Sequence, residues 1–119
     1  MNEKKRTQIE EYKRSQYIDD RELFTFTTIK KCHVGVWGMV FMSIKGDSIY
    51  VFGADFRGTI GKLLFTIPIK DMEDIKIPHR ISFSGFRFKY NGVNCVFDGG
   101  LYKNSPICNA ILEIKEGNR

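Results

Sequence analysis

Few of the reactive side chains in this sequence stand at spacings that make chemistry. His33 and His79 are the two histidines, and neither sits in a metal-binding or nucleophile motif. Cys32, Cys95 and Cys108 are odd in number and widely spaced, with no Cys-x-x-Cys pair and no histidine at metal spacing, so neither a zinc site nor a disulfide framework is indicated. Cys95 and Cys108 fall in apolar stretches and read as small core residues, whereas Cys32, near an expected loop, reads as more exposed. Asp71, Glu73 and Asp74 group carboxylates by count, but behind Pro68 they read as turn residues capping backbone N–H groups. Gly58 and Gly61 precede Lys62 without the glycine spacing or the Lys-Ser/Thr ending of a phosphate loop. The expectation is a chain that binds rather than catalyses, with no cofactor and no metal.

A second set of residues suits binding: Lys30, Lys31, Trp37, Phe56, Arg57, Lys62 and Lys89, cations interleaved with aromatics in or beside expected loops. Cations next to exposed aromatic rings suit an anionic membrane interface or a polyanion. The plainer alternative puts Trp37 and Phe56 in the core and leaves the lysines as a solvated rim. The segment Ser84-Gly85-Phe86-Arg87-Phe88-Lys89-Tyr90 faintly resembles strands on which single-stranded nucleic acids stack, but it lacks the basic-Gly-aromatic opening of such a motif. Alternating aromatics on a strand more often face a core.

The elements that must carry these residues are legible in the period of the sequence. A chain of 119 residues with 42% hydrophobic and 28% charged side chains fits one globular domain with one core. Ten Phe and eleven Gly favour short strands punctuated by turns. Residues 3–18 contain no Gly or Pro and predict a helix, but its apolar stripe of Ile9, Tyr12 and Tyr17 or Ile18 is too sparse for a core helix. Residues 1–22 are therefore expected to form a peripheral arm and 23–119 the domain. From Leu23 the period turns toward two, predicting strands over 23–34, 39–44, 48–54 and 63–67, a short one at Ile75 and Ile77, and a pair over 86–90 and 93–97 joined by Asn91-Gly92, the favoured type I′ hairpin dipeptide. Ser105-Pro106 then opens a helix whose Ile107, Ala110, Ile111 and Ile114 share one face, stopped by Gly117. Seven antiparallel strands and one amphipathic helix predict a bent sheet or open barrel plugged by that helix.

Two segments carry a family resemblance: Gly46-Asp47-Ser48-Ile49-Tyr50-Val51-Phe52, and Leu64-Phe65-Thr66-Ile67-Pro68-Ile69-Lys70-Asp71-Met72-Glu73-Asp74-Ile75. With the strand count, strand order and final helix, the chain over about 24–116 resembles the pleckstrin-homology (PH) superfamily, in particular its GRAM-like and bacterial PH-like members. The resemblance implies a mainly β, PH-like seven-stranded antiparallel open barrel capped by a C-terminal α-helix. It also implies that the loops after strands one, three and six gather at one end. Phosphoinositide-binding members carry a Lys in strand one and a Lys/Arg-x-Arg triplet in strand two. Lys30 and Lys31 fit the first, but Met39 to Ile44 holds no basic residue.

The net charge of +5, from 19 basic and 14 acidic residues, permits an anionic partner without demanding one. The start of the chain has no apolar targeting segment, and no stretch reaches membrane-span length. The expected setting is cytoplasmic, with peripheral contact at the inner membrane face as a variant. The expected function is that of a non-catalytic interaction module that docks a protein partner or its own copy. The alternatives are peripheral binding to an anionic membrane and, behind it, single-stranded nucleic acid.

Overall fold

The computed structural model describes residues 24–54, 59–79 and 85–117. The arm expected over 1–22, and Phe56 and Arg57 of the expected binding set, lie outside the described residues. Seven strands form one antiparallel open sheet: β1 (Phe24–Lys31), β2 (Gly38–Lys45), β3 (Ser48–Ala54), β4 (Ile60–Pro68), β5 (Glu73–Lys76), β6 (Phe86–Tyr90) and β7 (Val93–Asp98). Their order is β4-β3-β2-β1-β7-β6-β5, and helix α1 (Pro106–Lys115) ends the domain. Two meanders of sequence neighbours are thus joined through the β1–β7 pair, where Thr27, buried, donates its hydroxyl to the carbonyls of Asp98 (3.1 Å) and Gly99 (2.6 Å).

Alternation of side chains sorts the sheet into two faces. Val40, Met42 and Ile44 of β2, Ile49 and Val51 of β3, Phe65 and Ile67 of β4, and Phe86, Phe88, Cys95 and Phe97 of β6 and β7 share one buried cluster. The apolar side of α1 joins it through Ile107, Cys108, Ala110, Ile111 and Ile114. The helix begins where Pro106 occupies its first turn and Ser105 Oγ accepts from the Cys108 N–H at 3.4 Å. Its far end is tied down by Lys115 Nζ, which donates to the Lys70 carbonyl at 2.7 Å in a 3-10 turn, Ile69–Asp71. The β6–β7 turn is type I′ as the sequence predicts, since Asn91 and Gly92 both take positive φ (52° and 76°).

The opposite, outer face has a pattern of its own. Cross-strand register aligns Phe26, Phe41, Phe52 and Leu63 in one row over β1, β2, β3 and β4. Phe26 meets Phe41 edge-on at 5.2 Å, and Ile60 completes a second small cluster with Phe41 and Phe52.

Several boundaries differ from the sequence expectation for physical reasons. β1 stops at Lys31 rather than Val34 because Gly38 of β2 already pairs with Ile29, which leaves the next residues without a partner on that strand. β4 starts at Ile60, three residues ahead of Leu63, since Ile60 pairs with Ala54 beyond a bulge and packs on the outer aromatics. Glu73 and Asp74 stand in β5 rather than in a turn, with Glu73 opposite Lys89. Cys32 is buried rather than loop-exposed, its thiol donating to the Val36 carbonyl at 3.3 Å.

Truncating Ile111, which is fully buried under the sheet, removes the centre of the helix–sheet contact. Ile111→Ala is expected to lower the unfolding free energy by about 3 kcal/mol in urea denaturation, whereas Leu112→Ala on the exposed side should change it by less than about 1 kcal/mol.

Candidate functional site

β1, β3 and β6 run the same way in the antiparallel order, so the connections that follow them leave the sheet at one end. The β1–β2 loop at that end is held by Gly35 and Gly38, both at φ values that other residues rarely adopt (73° and 112°). It presents Trp37 at 82% exposure, with Val34 also exposed. Trp37 directly precedes Gly38, the residue paired with Ile29, and so stands across the ladder from the Lys30–Lys31 end of β1. A core position for Trp37 is thereby excluded.

Lys31 leads onto the outer face of the other half of the sheet. Lys31 pairs with Val96, Val96 with Arg87, and Arg87 with Lys76, a straight row over β1, β7, β6 and β5. At the usual strand spacing this row spans about 14 Å. Lys89 stands two residues further along β6, opposite Asn94. Together these residues line an open groove of about 720 Å³, floored in part by Val96 and Ile75, in which Asp74 is the one carboxylate. Among the described residues, Lys31, Lys76, Arg87 and Lys89 form no ion pair. Four cations against Asp74 in the groove and Glu73 opposite Lys89 leave this solvent-open surface net positive, which suits an anionic ligand.

The structure therefore brings Lys31 and Lys89 of the sequence-predicted set together in one groove, while Trp37 stands in the loop that follows Lys31, on the β2 side of β1. Lys30 points elsewhere and pairs with Asp98 at 3.7 Å. Lys62 is exposed on β4, at the far edge of the sheet order from β5 and β6. Arg87 and Lys76 were not predicted as site residues. Their signal was the polar phase of the alternation Phe86-Arg87-Phe88-Lys89-Tyr90, whose apolar phase faces the core. Phe86 and Phe88 pack on Phe97 inside the sheet, at 6.0 Å each, and offer no ring for base stacking.

One thiol–imidazole pair emerges that spacing does not reveal. Half-buried His33 lies edge-on to Phe65 (5.0 Å) and Tyr90 (4.8 Å), with Nδ1 at 4.0 Å from Cys95 Sγ. Burial pulls the imidazole below its ordinary range and pushes the Cys95 thiol up. Both shifts favour the neutral forms, the reverse of what an activated thiolate needs, and Cys95 is fully buried. The pair fills space at the loop end of the core.

Among the described residues there is no cluster of His, Cys, Asp or Glu able to hold a metal ion, and no helix long and apolar enough to cross a membrane. No family model matches the chain, and no curated protein matches it.

The depressed His33 pKa carries a pH consequence. Below its ordinary value of 6.5 the unfolded chain takes up a proton that the native imidazole resists, so this contribution to stability is present above that pH and lost as pH falls through the native value. The urea midpoint is expected to drop between about pH 7 and pH 5, and His33→Phe, which keeps a ring against Phe65 and Tyr90, should drop less over the same interval. Equal losses in both proteins would remove His33 as the cause.

Proposed function

We propose that the chain is a non-catalytic, PH-like interaction module that docks peripherally on an anionic membrane surface through its β1–β2 loop end. What carries the proposal is an 82% exposed Trp37 in the loop that follows Lys31, together with cations that begin at Lys31, continue through Arg87 and Lys89 and form no ion pair among the described residues. An indole set at the end of a glycine-held loop suits the headgroup level of a bilayer, where one side of the ring is apolar and its N–H is hydrated. Lysine and arginine beside it add attraction of about 1 kcal/mol each near an anionic leaflet.

The strand order, the β1–β7 pairing and the helix packed on the inner face support the PH-like assignment. The cations stand on other strands than in the phosphoinositide-binding members the sequence resembles, because β2 holds no basic residue between Gly38 and Lys45. A shallow, distributed cation row favours charge-driven contact with a surface over a stereospecific headgroup cage.

The full chain is expected to sediment with vesicles containing phosphatidylserine at low salt, to stay in solution with phosphatidylcholine alone, and to be released as salt rises. Lys31→Ala combined with Arg87→Ala should weaken the partition by roughly thirtyfold, at about 1 kcal/mol per cation, and Trp37→Ala should weaken it with little change in its salt dependence. Absence of sedimentation with anionic vesicles at low salt, or sedimentation indifferent to lipid charge, would contradict the proposal.

A further inference from the structure

Two of the three free cysteines face each other where β1 leaves the sheet. Past the irregularity between Ile29 and Lys31, Lys31 of β1 pairs with Val96 of β7, and one residue further on the same register sets Cys32 opposite Cys95. Opposed residues of an antiparallel pair put their side chains on one face, and both thiols belong to the inner cluster while Lys31 and Val96 line the outer groove. The electrostatics agree: burial is the main cause that raises the Cys95 thiol, and the Cys32 thiol raises it further, an influence that a near neighbour exerts. Opposed residues stand with Cα atoms about 4.5 to 5.5 Å apart, inside the span of about 4.4 to 6.8 Å that a disulfide bridges. Cys108, the third cysteine, stands in α1.

Cys32 also holds the β1–β2 loop. Its thiol donates to the Val36 carbonyl at 3.3 Å, and its own carbonyl accepts from the Gly35 N–H at 3.3 Å. Trp37, 82% exposed, follows Val36 directly. A Cys32 sulfur bonded to Cys95 has no proton to donate and is drawn toward β7, so the Val36 carbonyl loses that donor. The chemical state of one thiol is thereby linked to the segment that presents the indole.

We propose that Cys32 and Cys95 are a dithiol that a low-molecular-weight disulfide oxidises to an intramolecular cross-strand disulfide, and that this closure frees the loop carrying Trp37. Cys32, at 6% exposure against 0% for Cys95, is the sulfur the oxidant meets first, when the loop opens. The Cys32 sulfur attacks one sulfur of the oxidant, forming a mixed disulfide and releasing the first small thiol, which takes the Cys32 proton. The Cys95 sulfur then attacks the Cys32 sulfur, the mixed disulfide breaks, and the second small thiol leaves. His33, with Nδ1 at 4.0 Å from Cys95 Sγ, stands where it can receive the Cys95 proton and pass it to that leaving thiolate. Two protein thiols are oxidised by two electrons and one small disulfide is reduced to two thiols. With both protein thiols buried and neutral, the exchange is slow and set by equilibrium, unlike that of an exposed, activated thiolate.

The test incubates the reduced full chain in native buffer with hydroxyethyl disulfide to equilibrium, quenches with acid, alkylates the remaining thiols in denaturant and maps the products by mass spectrometry. Trypsin puts the three cysteines on separate peptides, 32–45, 90–103 and 104–115. Peptides 32–45 and 90–103 are expected to be joined within one chain, with Cys108 alkylated. The fluorescence anisotropy of Trp37 should fall on oxidation, and dithiothreitol should reverse both changes. Cys32→Ser, which keeps a hydroxyl donor toward Val36, should hold its anisotropy under the same oxidant. A bond that involves Cys108 or joins two chains, a hydroxyethyl adduct left on Cys32 without the link, or three thiols that stay alkylatable would each overturn the pair. A Cys32–Cys95 bond that leaves the anisotropy unchanged, or an equal fall in Cys32→Ser, would overturn its hold on the loop. None of these outcomes depends on vesicle binding.

Discussion

The inner face of the sheet can be dry only because α1 lies on it. β2, β3, β4, β6 and β7 all send large apolar residues to that face, and an open sheet cannot enclose them by itself. Ile107, Ile111 and Ile114 supply the missing wall, and both helix ends are anchored, one by the Ser105 cap and the other by Lys115 on the 3-10 turn. The interior is filled by side chains between 0% and 8% exposed and holds Phe88 stacked on Phe97 with Phe86 edge-on to both.

The outside is divided by β1. On one side of it the outward positions of β2, β3 and β4 are Phe41, Phe52 and Leu63; on the other, the outward positions of β7, β6 and β5 are Val96, Arg87 and Lys76. One strand alternation thus yields an apolar half that needs cover and a basic half that prefers water and anions. The β1–β2 loop, with Trp37, sits at the end of the strand that both halves share. An aromatic tip beside a cation row follows from where β1 ends, since Lys31 terminates it and Gly38 fixes the return.

Much of this was legible in the residues. Asn91-Gly92 and the alternation around it define β6 and β7 to the residue at their turn, and Ser48–Ala54 with apolar side chains on both faces is β3 as expected. Ser105-Pro106 and the Ile107–Ala110–Ile111–Ile114 spacing fix the helix and its buried side, because capping and a 3.6 period are local properties. What was not legible depends on partners distant in sequence. β4 is lengthened by a bulged pairing of Ile60 with Ala54, β5 is shifted toward Glu73 by its register on β6, and Cys32 is buried by a loop that folds back on it. The basic groove was half read, through Lys31 and Lys89; Arg87 and Lys76 join it only once three strand pairings set them in one row. Trp37 between Gly35 and Gly38 reads as a turn residue, but composition alone left a core position open for its ring, and only the fold of the β1–β2 loop shows it exposed.

On the outer half that β5, β6 and β7 form, Lys31, Lys76, Arg87 and Lys89 have no ion pair among the described residues, and the proposed membrane contact rests on them together with Trp37. Trp37, the single tryptophan of the chain and the most exposed large apolar side chain among the described residues, reports on that surface directly. Steady-state fluorescence of the full chain titrated with phosphatidylserine vesicles at low salt is therefore the most direct measurement. The account predicts a blue shift of the emission and loss of access to an aqueous quencher, both reversed by salt and absent with phosphatidylcholine. An emission maximum and quencher access unchanged at saturating anionic lipid would contradict it.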